Sequence, residues 1–255
     1  MRLVAWNCNM ALHRKVDALR ALRPDVAVIS ECAEPSILAA RSAADWIEAE
    51  PVWIGRNATK GLGVFAFNGY RLRLADNYSP RHHFIAPVHV AGPVAFNLLA
   101  VWAQNASAGI TRKHQPGPLR LALTRYRDFL TTGPAVVAGD WNSNVIWDKP
   151  GWRINHMHKI RVLEQMGLVS AYHVVRDERQ GEETVPTHYW RDRREDGPTY
   201  HIDYMCLPNG WISRIVQFDV GGFAEWCGNG LSDHVPLVVD VDLSTRAQAQ
   251  SDTDM

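Results

Sequence analysis

The sequence predicts an α/β fold in which two β-sheets pack face to face with helices outside. Short apolar runs recur over all 255 residues, separated by Gly, Pro, Asn and Asp, and strand-like runs outnumber helical ones. Some of these strands are continuous apolar runs and others alternate as hairpin strands do, a mixture that one parallel sheet does not explain. With 46% hydrophobic and 21% charged residues, the chain has the balance of a soluble globular protein able to bury a large core.

Residues 2–8 read as a strand and 13–22 as a helix, with Val16, Leu19 and Leu22 on one face. Pro24 stops that helix because it disfavours helical geometry at the residue before it. Residues 26–29 form a buried strand that delivers Glu31 at its carboxyl end, and further strands follow at 62–67, 71–76, 84–90 and 94–101. A helix over 119–130 leads to a buried strand at 135–138 ending in Gly139-Asp140, and 155–166 is helical again. Strands at 201–207, 212–219 and 235–242 complete the pattern. No internal repeat and no linker-like stretch interrupts 1–243, so that span is expected to be one domain, with 244–255 a disordered polar tail.

The formal net charge is zero, so a site for a polyanion has to rest on local charge. Arg112, Lys113, His114, Arg120, Arg125 and Arg127 form one basic stretch, which suits a phosphate backbone or a solvated helix face equally well. Cys8, Cys32, Cys206 and Cys227 have no metal-finger spacing and read as buried thiols, although a Cys206–Cys227 disulfide stays open. No apolar run reaches the roughly 18 residues that span a bilayer, and the N-terminus enters a strand rather than a leader. The expectation is a cytoplasmic protein without a membrane span.

Five short segments place polar groups at the ends of apolar strands: Trp6-Asn7-Cys8-Asn9, Ser30-Glu31-Cys32, Gly139-Asp140-Trp141-Asn142, His201-Ile202-Asp203-Tyr204 and Ser232-Asp233-His234. A carboxylate just past such a strand sits where a rigid scaffold meets a solvent-filled cleft. Glu31, Asp140, Asp203 and Asp233 offer the hard oxygen ligands that Mg²⁺ or Mn²⁺ prefers. Asn7 and Asn142 can meet metal or phosphate without adding charge, and His234 titrates nearest neutrality, with Asp203 able to orient it. Taken singly, each residue also has a plain structural use: Asp140 and Asn142 can close an Asx-turn, and a lone His is more often packed than catalytic. Of the tryptophans, Trp6, Trp46, Trp53 and Trp211 fall in core patterns, whereas Trp141, Trp147 and Trp152 are candidates for a cleft rim.

These motifs, in this order over essentially all of 1–243, resemble the endonuclease/exonuclease/phosphatase superfamily. Gly139-Asp140-Trp141-Asn142 is similar to its Gly-Asp-x-Asn motif, His201-Ile202-Asp203-Tyr204 to Arg-Ile-Asp-Tyr, and Ser232-Asp233-His234-Val235-Pro236 to Ser-Asp-His-x-Pro. The resemblance implies a four-layer α/β/β/α sandwich with two mixed sheets. It also implies a Mg²⁺- or Mn²⁺-dependent phosphodiesterase. Glu31, Asn7 and Asp233 would hold an ion, and Asp140, Asn142, Asp203 and His234 would carry catalysis. Asn9 stands where many of these nucleases carry Asp. In Val101-Trp102-Ala103-Gln104-Asn105, Asn105 matches a phosphate-contacting Asn, and Trp102 replaces a Tyr or His. The stretch from Thr187 to His201 resembles a segment forming an aromatic substrate pocket, with His188 for a Phe and Tyr200 within it. The expected substrate is DNA, cut internally or trimmed at a 3′ end, with small or lipid phosphate esters as the alternative. The expected partner is DNA or another phosphate ester, and no protein partner is implied. A non-catalytic scaffold retaining the fold is the remaining alternative, although no member of the constellation is missing.

Overall fold

Two apolar runs, Arg2–Asn7 (β1) and Val26–Cys32 (β2), lie side by side and parallel, with Leu3 opposite Val26 and Asn7 opposite Ser30. Parallel neighbours need a crossover, and Val16–Ala21 (α1) lies in it. The computed structural model describes residues 1–42, 45–104, 115–190 and 194–244. Beyond β2 come Lys60–Ala66 (β4) and its hairpin partner Val52–Asn57 (β3), while Leu237–Val241 (β14) and Ile215–Val220 (β13) extend the sheet past β1. The first sheet thus has the order β13-β14-β1-β2-β4-β3.

The second sheet is built on the same plan. Phe96–Trp102 (β7) and Ala135–Asp140 (β8) are parallel, with Trp102 opposite Asp140, and their crossover carries Pro118–Arg125 (α3) and Arg127–Thr131 (α4). Arg71–Leu74 (β5) and Ile85–Ala91 (β6) extend one side. Asp203–Pro208 (β12) and Leu168–Ser170 (β9) extend the other, giving the order β5-β6-β7-β8-β12-β9.

Strand periodicity explains why the central strands read as unbroken apolar runs. Leu3, Ala5 and Val28 of the first sheet meet Val88, Leu98, Val136 and Met205 of the second in the core between the sheets. The alternate residues Val4, Trp6 and Ile29 face outward and are covered by Leu19 of α1 and Leu38 of Pro35–Arg41 (α2). On the far side Leu99, Val101 and Val137 are covered by Leu119 and Leu123 of α3, Leu130 of α4, and Leu163 of His156–Gln165 (α5). Both faces of each central strand are therefore buried, and the layers are α/β/β/α, as expected. Among the described residues no helix is long and apolar enough to cross a membrane.

Several expectations change in detail. The helix over 119–130 is two helices, broken at Tyr126. The strand expected from 212 begins at Ile215, because Asn209–Ile212 (α7) forms a short helix after Pro208. All four cysteines are buried free thiols, so the Cys206–Cys227 pairing does not form. Trp141 is fully buried against Tyr204 and is not a cleft-rim residue.

Gly139 is a position where the backbone tolerates no side chain. Its φ is +131°, and a Cβ built there would stand 2.0 Å from the carbonyl oxygen of Val101 on the adjacent strand. Gly139→Ala is expected to cost on the order of 3 kcal/mol. At about 2–4 °C per kcal/mol for a domain of this size, calorimetry should show a clear drop in thermal midpoint. An unchanged midpoint would mean that β7 and β8 do not approach this closely.

Candidate active site

The polar groups singled out in the sequence converge because their strands end on one edge of the sandwich. Asp203, the first residue of β12, is paired with Asp140, the last residue of β8. Asn7 ends β1, and Asp233-His234 precedes β14, which is antiparallel to β1. His234 Nδ1 lies 2.8 Å from Asp203 Oδ2, and both side chains are buried. That contact joins the first sheet to the second. Burial alone would depress the His234 pKa, but the charge and hydrogen bond of Asp203, followed by the charges of Asp140 and Asp233, push it up to about 10.

Asp140 is equally buried but surrounded differently. Its Oδ2 accepts from Asn7 Nδ2 at 3.0 Å and Asn142 Nδ2 at 2.8 Å, and its Oδ1 accepts from the Asn142 backbone N–H. Burial and then the charge of Asp203 raise its pKa to about 7, against the lowering effect of His234 and these donors. The site thus contains a carboxyl group poised near neutrality and an imidazolium that survives well above it. Groups separated in this way can act as base and acid at one pH.

Glu31 lies outside this buried cluster. It contacts Asn7 Nδ2 at 3.4 Å and the ammonium of Lys60 at 2.9 Å, and Lys60 lies 5.4 Å above the ring of Trp102. Asn7 therefore links the Glu31 and Asp140 carboxylates as a donor, while its Oδ1 accepts from the Asn9 N–H at 3.0 Å. Asp233 is partly exposed. Burial would raise its pKa, but His188 at 3.8 Å and the charge of His234 hold it well below the usual carboxylate range.

Three residues in and around this assembly were missed by sequence reasoning. Thr187 is fully buried, and its Oγ1 accepts from the N–H groups of Ile202 and Asp203 at 3.0 Å each, while its C=O accepts from Val235 N–H. Asn144 Nδ2 donates to the His201 carbonyl, the Tyr204 hydroxyl and Glu183. Lys60 follows a polar hairpin turn, Asn57-Ala58-Thr59, and carries no motif of its own. A basic residue just before the strand expected at 62–67 was the one available signal for Lys60; Thr187 was noted only as the start of the pocket-like stretch, and Asn144 does not stand out in the sequence.

The residues expected to meet substrate divide into groups. His188 and Tyr200 line a cavity of about 310 Å³ with Asn142, Trp147, Trp190 and Ile202, and the His188 ring sits 4.4 Å from that of His234. Trp102 is 4% exposed and packs on Phe84, so it meets the cleft through Lys60 rather than by an open face. Asn9 adopts a left-handed backbone, φ +46°, in the loop after β1. Asn105 lies outside the described residues.

The donor set suits a hard divalent ion. Asp140, Asp203 and His234 bring ligand atoms within 4.8 Å of one another, as do His188, Asp233 and His234. Asp203 Oδ1 is buried without a hydrogen-bond partner among the described residues. A buried carboxylate oxygen in that state needs a cation, a water or a proton. Glu31 and Asp233, both partly exposed, are carboxylates of the kind that Mg²⁺ or Mn²⁺ favours.

No family model matches the sequence, and no curated protein sequence matches it. Solved structures do match. A 3′–5′ exonuclease from Neisseria meningitidis superposes with a TM-score of 0.68 at 17% identity, covering 95% of this chain and 100% of that one. An AP endonuclease from Archaeoglobus fulgidus gives 0.68 at 16% identity, again over 95% of this chain and 100% of the other. An endonuclease/exonuclease/phosphatase from Beutenbergia cavernae gives 0.59 at 18% identity, over 94% of this chain and 70% of that chain. The chain has the endonuclease/exonuclease/phosphatase fold, which the order of its motifs led the sequence analysis to expect.

The Asp203–His234 pair has a testable pH signature. Because the folded pKa of His234 lies above its ordinary value of 6.5, its stabilising contribution is complete below about pH 6.5 and is lost as pH rises through about 10. The imidazole resonances of His234 should show no titration between neutral pH and about 9, and Asp203→Asn should lower the midpoint, because the largest opposing influence on burial is then gone. A midpoint near 6.5 in the wild type would remove the buried ion pair from the description.

Proposed function

We propose that the chain hydrolyses phosphodiester bonds of DNA with the aid of Mg²⁺ or Mn²⁺, as an endonuclease or a 3′-end-processing nuclease. The observation that carries this reading is the buried Asp140–Asp203–His234 cluster with Asn142, opening onto an aromatic cavity of about 310 Å³. Structures with this fold that go by the names 3′–5′ exonuclease and AP endonuclease support it. Paired rings such as Trp147 and Tyr200, 5.0 Å apart, suit a flat base or a sugar at the end of a strand.

The chemistry needs a water made nucleophilic, charge stabilised on phosphorus, and a proton for the leaving oxygen. Asp140, with a pKa near 7, accepts the proton of the water that attacks phosphorus. Asn142, held by two hydrogen bonds to Asp140, orients that carboxylate and presents its amide beside the phosphoryl group. As the phosphorus–oxygen bond breaks, the His234 imidazolium, fixed by Asp203, gives its proton to the departing alkoxide. Lys60 adds positive charge at the mouth of the cleft, next to Glu31. Glu31 and Asp233 would hold a divalent ion, which would supply Lewis acidity to the phosphoryl group.

The deciding experiment incubates the purified chain with Mg²⁺, Mn²⁺ or EDTA. Its substrates are labelled duplex DNA with and without an abasic site, single strands, RNA, and simple phosphate mono- and diesters. Ion-dependent cutting of DNA is the expected result. Turnover of small esters alone would move the chain to the phosphatase alternative, and no turnover with either ion would leave a scaffold protein. Asp140→Asn should lower kcat by about 10²–10⁴-fold while leaving the circular dichroism spectrum intact, and full activity in that variant would reject Asp140 as the base. At limiting ion, kcat/KM should rise on an acid limb near pH 7 and fall on an alkaline limb near pH 10. A flat profile across both limbs would contradict the assignment of base and acid.

A further inference from the structure

The outer helices of the second sheet carry a groove that the catalytic chemistry does not use. It lies between α3 and α5, has a volume of about 440 Å³, and is lined by Arg120 and Thr124 from one side and Arg153, His158 and Arg161 from the other. Among the described residues that line it there is no carboxylate. Three guanidinium groups and an imidazole thus share one depression on a chain whose formal net charge is zero, so the charge is concentrated by the fold. Arg120 and Thr124 stand one helical turn apart on α3, and the Arg120 guanidinium hydrogen-bonds the Thr124 hydroxyl. His158 and Arg161 stand one turn apart on α5.

One wall of the groove is tied to the active-site loop. His156, the first residue of α5, has its Nδ1 2.9 Å from Ser143 Oγ, and Ser143 follows directly on Asn142. At a rise of about 1.5 Å per residue, His158 and Arg161 stand about 3 and 8 Å beyond His156 along the helix axis. α3 belongs to the crossover that leaves β7 at Trp102, opposite Asp140. Both walls of the groove therefore grow out of segments that leave the catalytic edge.

We propose that this groove binds the phosphate backbone of the DNA strand whose scissile bond lies at Asp140 and His234. This rests on the reading of the chain as a DNA phosphodiesterase and gives it a strand-binding surface away from the catalytic edge. Guanidinium groups pair with phosphate oxygens through a planar fork. Arg153 and Arg161 are solvent-exposed, which suits a backbone running past the surface better than a small ligand that must be enclosed. Of the basic stretch singled out in the sequence, Arg120 lines the groove, Arg125 and Arg127 do not, and Arg112, Lys113 and His114 lie outside the described residues. The other cations come from residues 153–161, which sequence spacing did not associate with them.

The test measures binding of a fluorescein-labelled DNA duplex by anisotropy in EDTA, between about 50 and 200 mM salt, for the wild type and for Arg120→Ser combined with Arg161→Ser. Loss of two phosphate contacts should make the slope of log affinity against log salt shallower by about 2. Affinity should fall about tenfold, and Arg120→Lys with Arg161→Lys should restore most of the slope. Hydrolysis of the p-nitrophenyl ester of thymidine 5′-phosphate and the thermal midpoint should not change, which separates a lost strand contact from a damaged fold. An unchanged slope in a protein that still cuts DNA would overturn the groove alone and leave the proposed function standing. A wild type that hydrolyses the small ester but shows no salt-dependent duplex binding would overturn both the groove and DNA as the substrate. A wild type without ion-dependent hydrolysis of either substrate would remove the proposed function and this inference with it.

Discussion

The buried contact between Asp203 and His234 is the constraint around which the rest of the site is arranged. It takes a carboxylate from the second sheet and an imidazole from the first, and buries both. Moving two charges out of water costs more than their attraction returns unless geometry and further hydrogen bonds are close to ideal. The surrounding structure fixes the backbone on both sides of the pair, while Asp203 Oδ1 has no hydrogen-bond partner among the described residues. Thr187 Oγ1 receives the Asp203 N–H, Ser232 Oγ receives the His234 N–H at 3.1 Å while donating to the Asn7 carbonyl at 2.7 Å, and Trp6 Nε1 donates to the His234 carbonyl. A pair of this kind is weak evidence for stability and good evidence for a fixed relation between the sheets. Its consequence is chemical: placing Asp140 across from Asp203 on the neighbouring strand makes a second buried carboxylate reluctant to ionise.

Backbone geometry around the cleft shows the same preference for position over comfort. Asn9, Met10, Ala11, Glu31 and Asn142 all have positive φ without being glycine. Such conformations cost free energy and persist only when their surroundings over-determine them. The loop after β1 is held by the Lys15 ammonium, which donates to the carbonyls of Cys8, Asn9 and Met10. Glu31 turns out of β2 at an irregularity in its pairing with β4, which breaks the alternation that would otherwise continue along the strand. Asn142 is turned back so that its N–H and its amide both reach Asp140.

This division explains what the sequence could reveal. Strands such as 26–29 and 135–138 were legible because both faces are buried, which leaves an unbroken apolar run. Their polar termini were legible because a carboxylate after such a run has few structural uses. The edges were harder. α2 begins at Pro35 and carries only one fully covered residue, Leu38, and β10 and β11, each two residues long (His188–Tyr189 and Thr199–Tyr200), are too short for any period to show. Trp141 looked like a rim residue from its place in the motif, yet the alternation across β8 and the loop after it points its ring inward, onto Tyr204. Lys60 and Thr187 act through contacts across 29 and 16 residues of chain, to Glu31 and Asp203, and no local pattern encodes a partner at that distance.

The two groupings of ligand atoms near the cleft share His234, whose ring also makes the contact with Asp203. A metal-ligating imidazole must present a lone pair, so the ring has to be neutral. His234 is instead held as an imidazolium by Asp203, with Asp140 and Asp233 adding to the effect, up to about pH 10. Nδ1 of that ring is taken by Asp203, so a cation in either grouping would meet the ring through Nε2. Glu31 and Asp233 are the carboxylates on the solvent side of the site, and the two imidazoles beside Asp233 hold its carboxyl well below the usual carboxylate range. Burial thus separates chemically similar residues: Asp140 and Asp203 are enclosed within the cluster, whereas Glu31 and Asp233 are partly exposed and are met by Lys60 and His188.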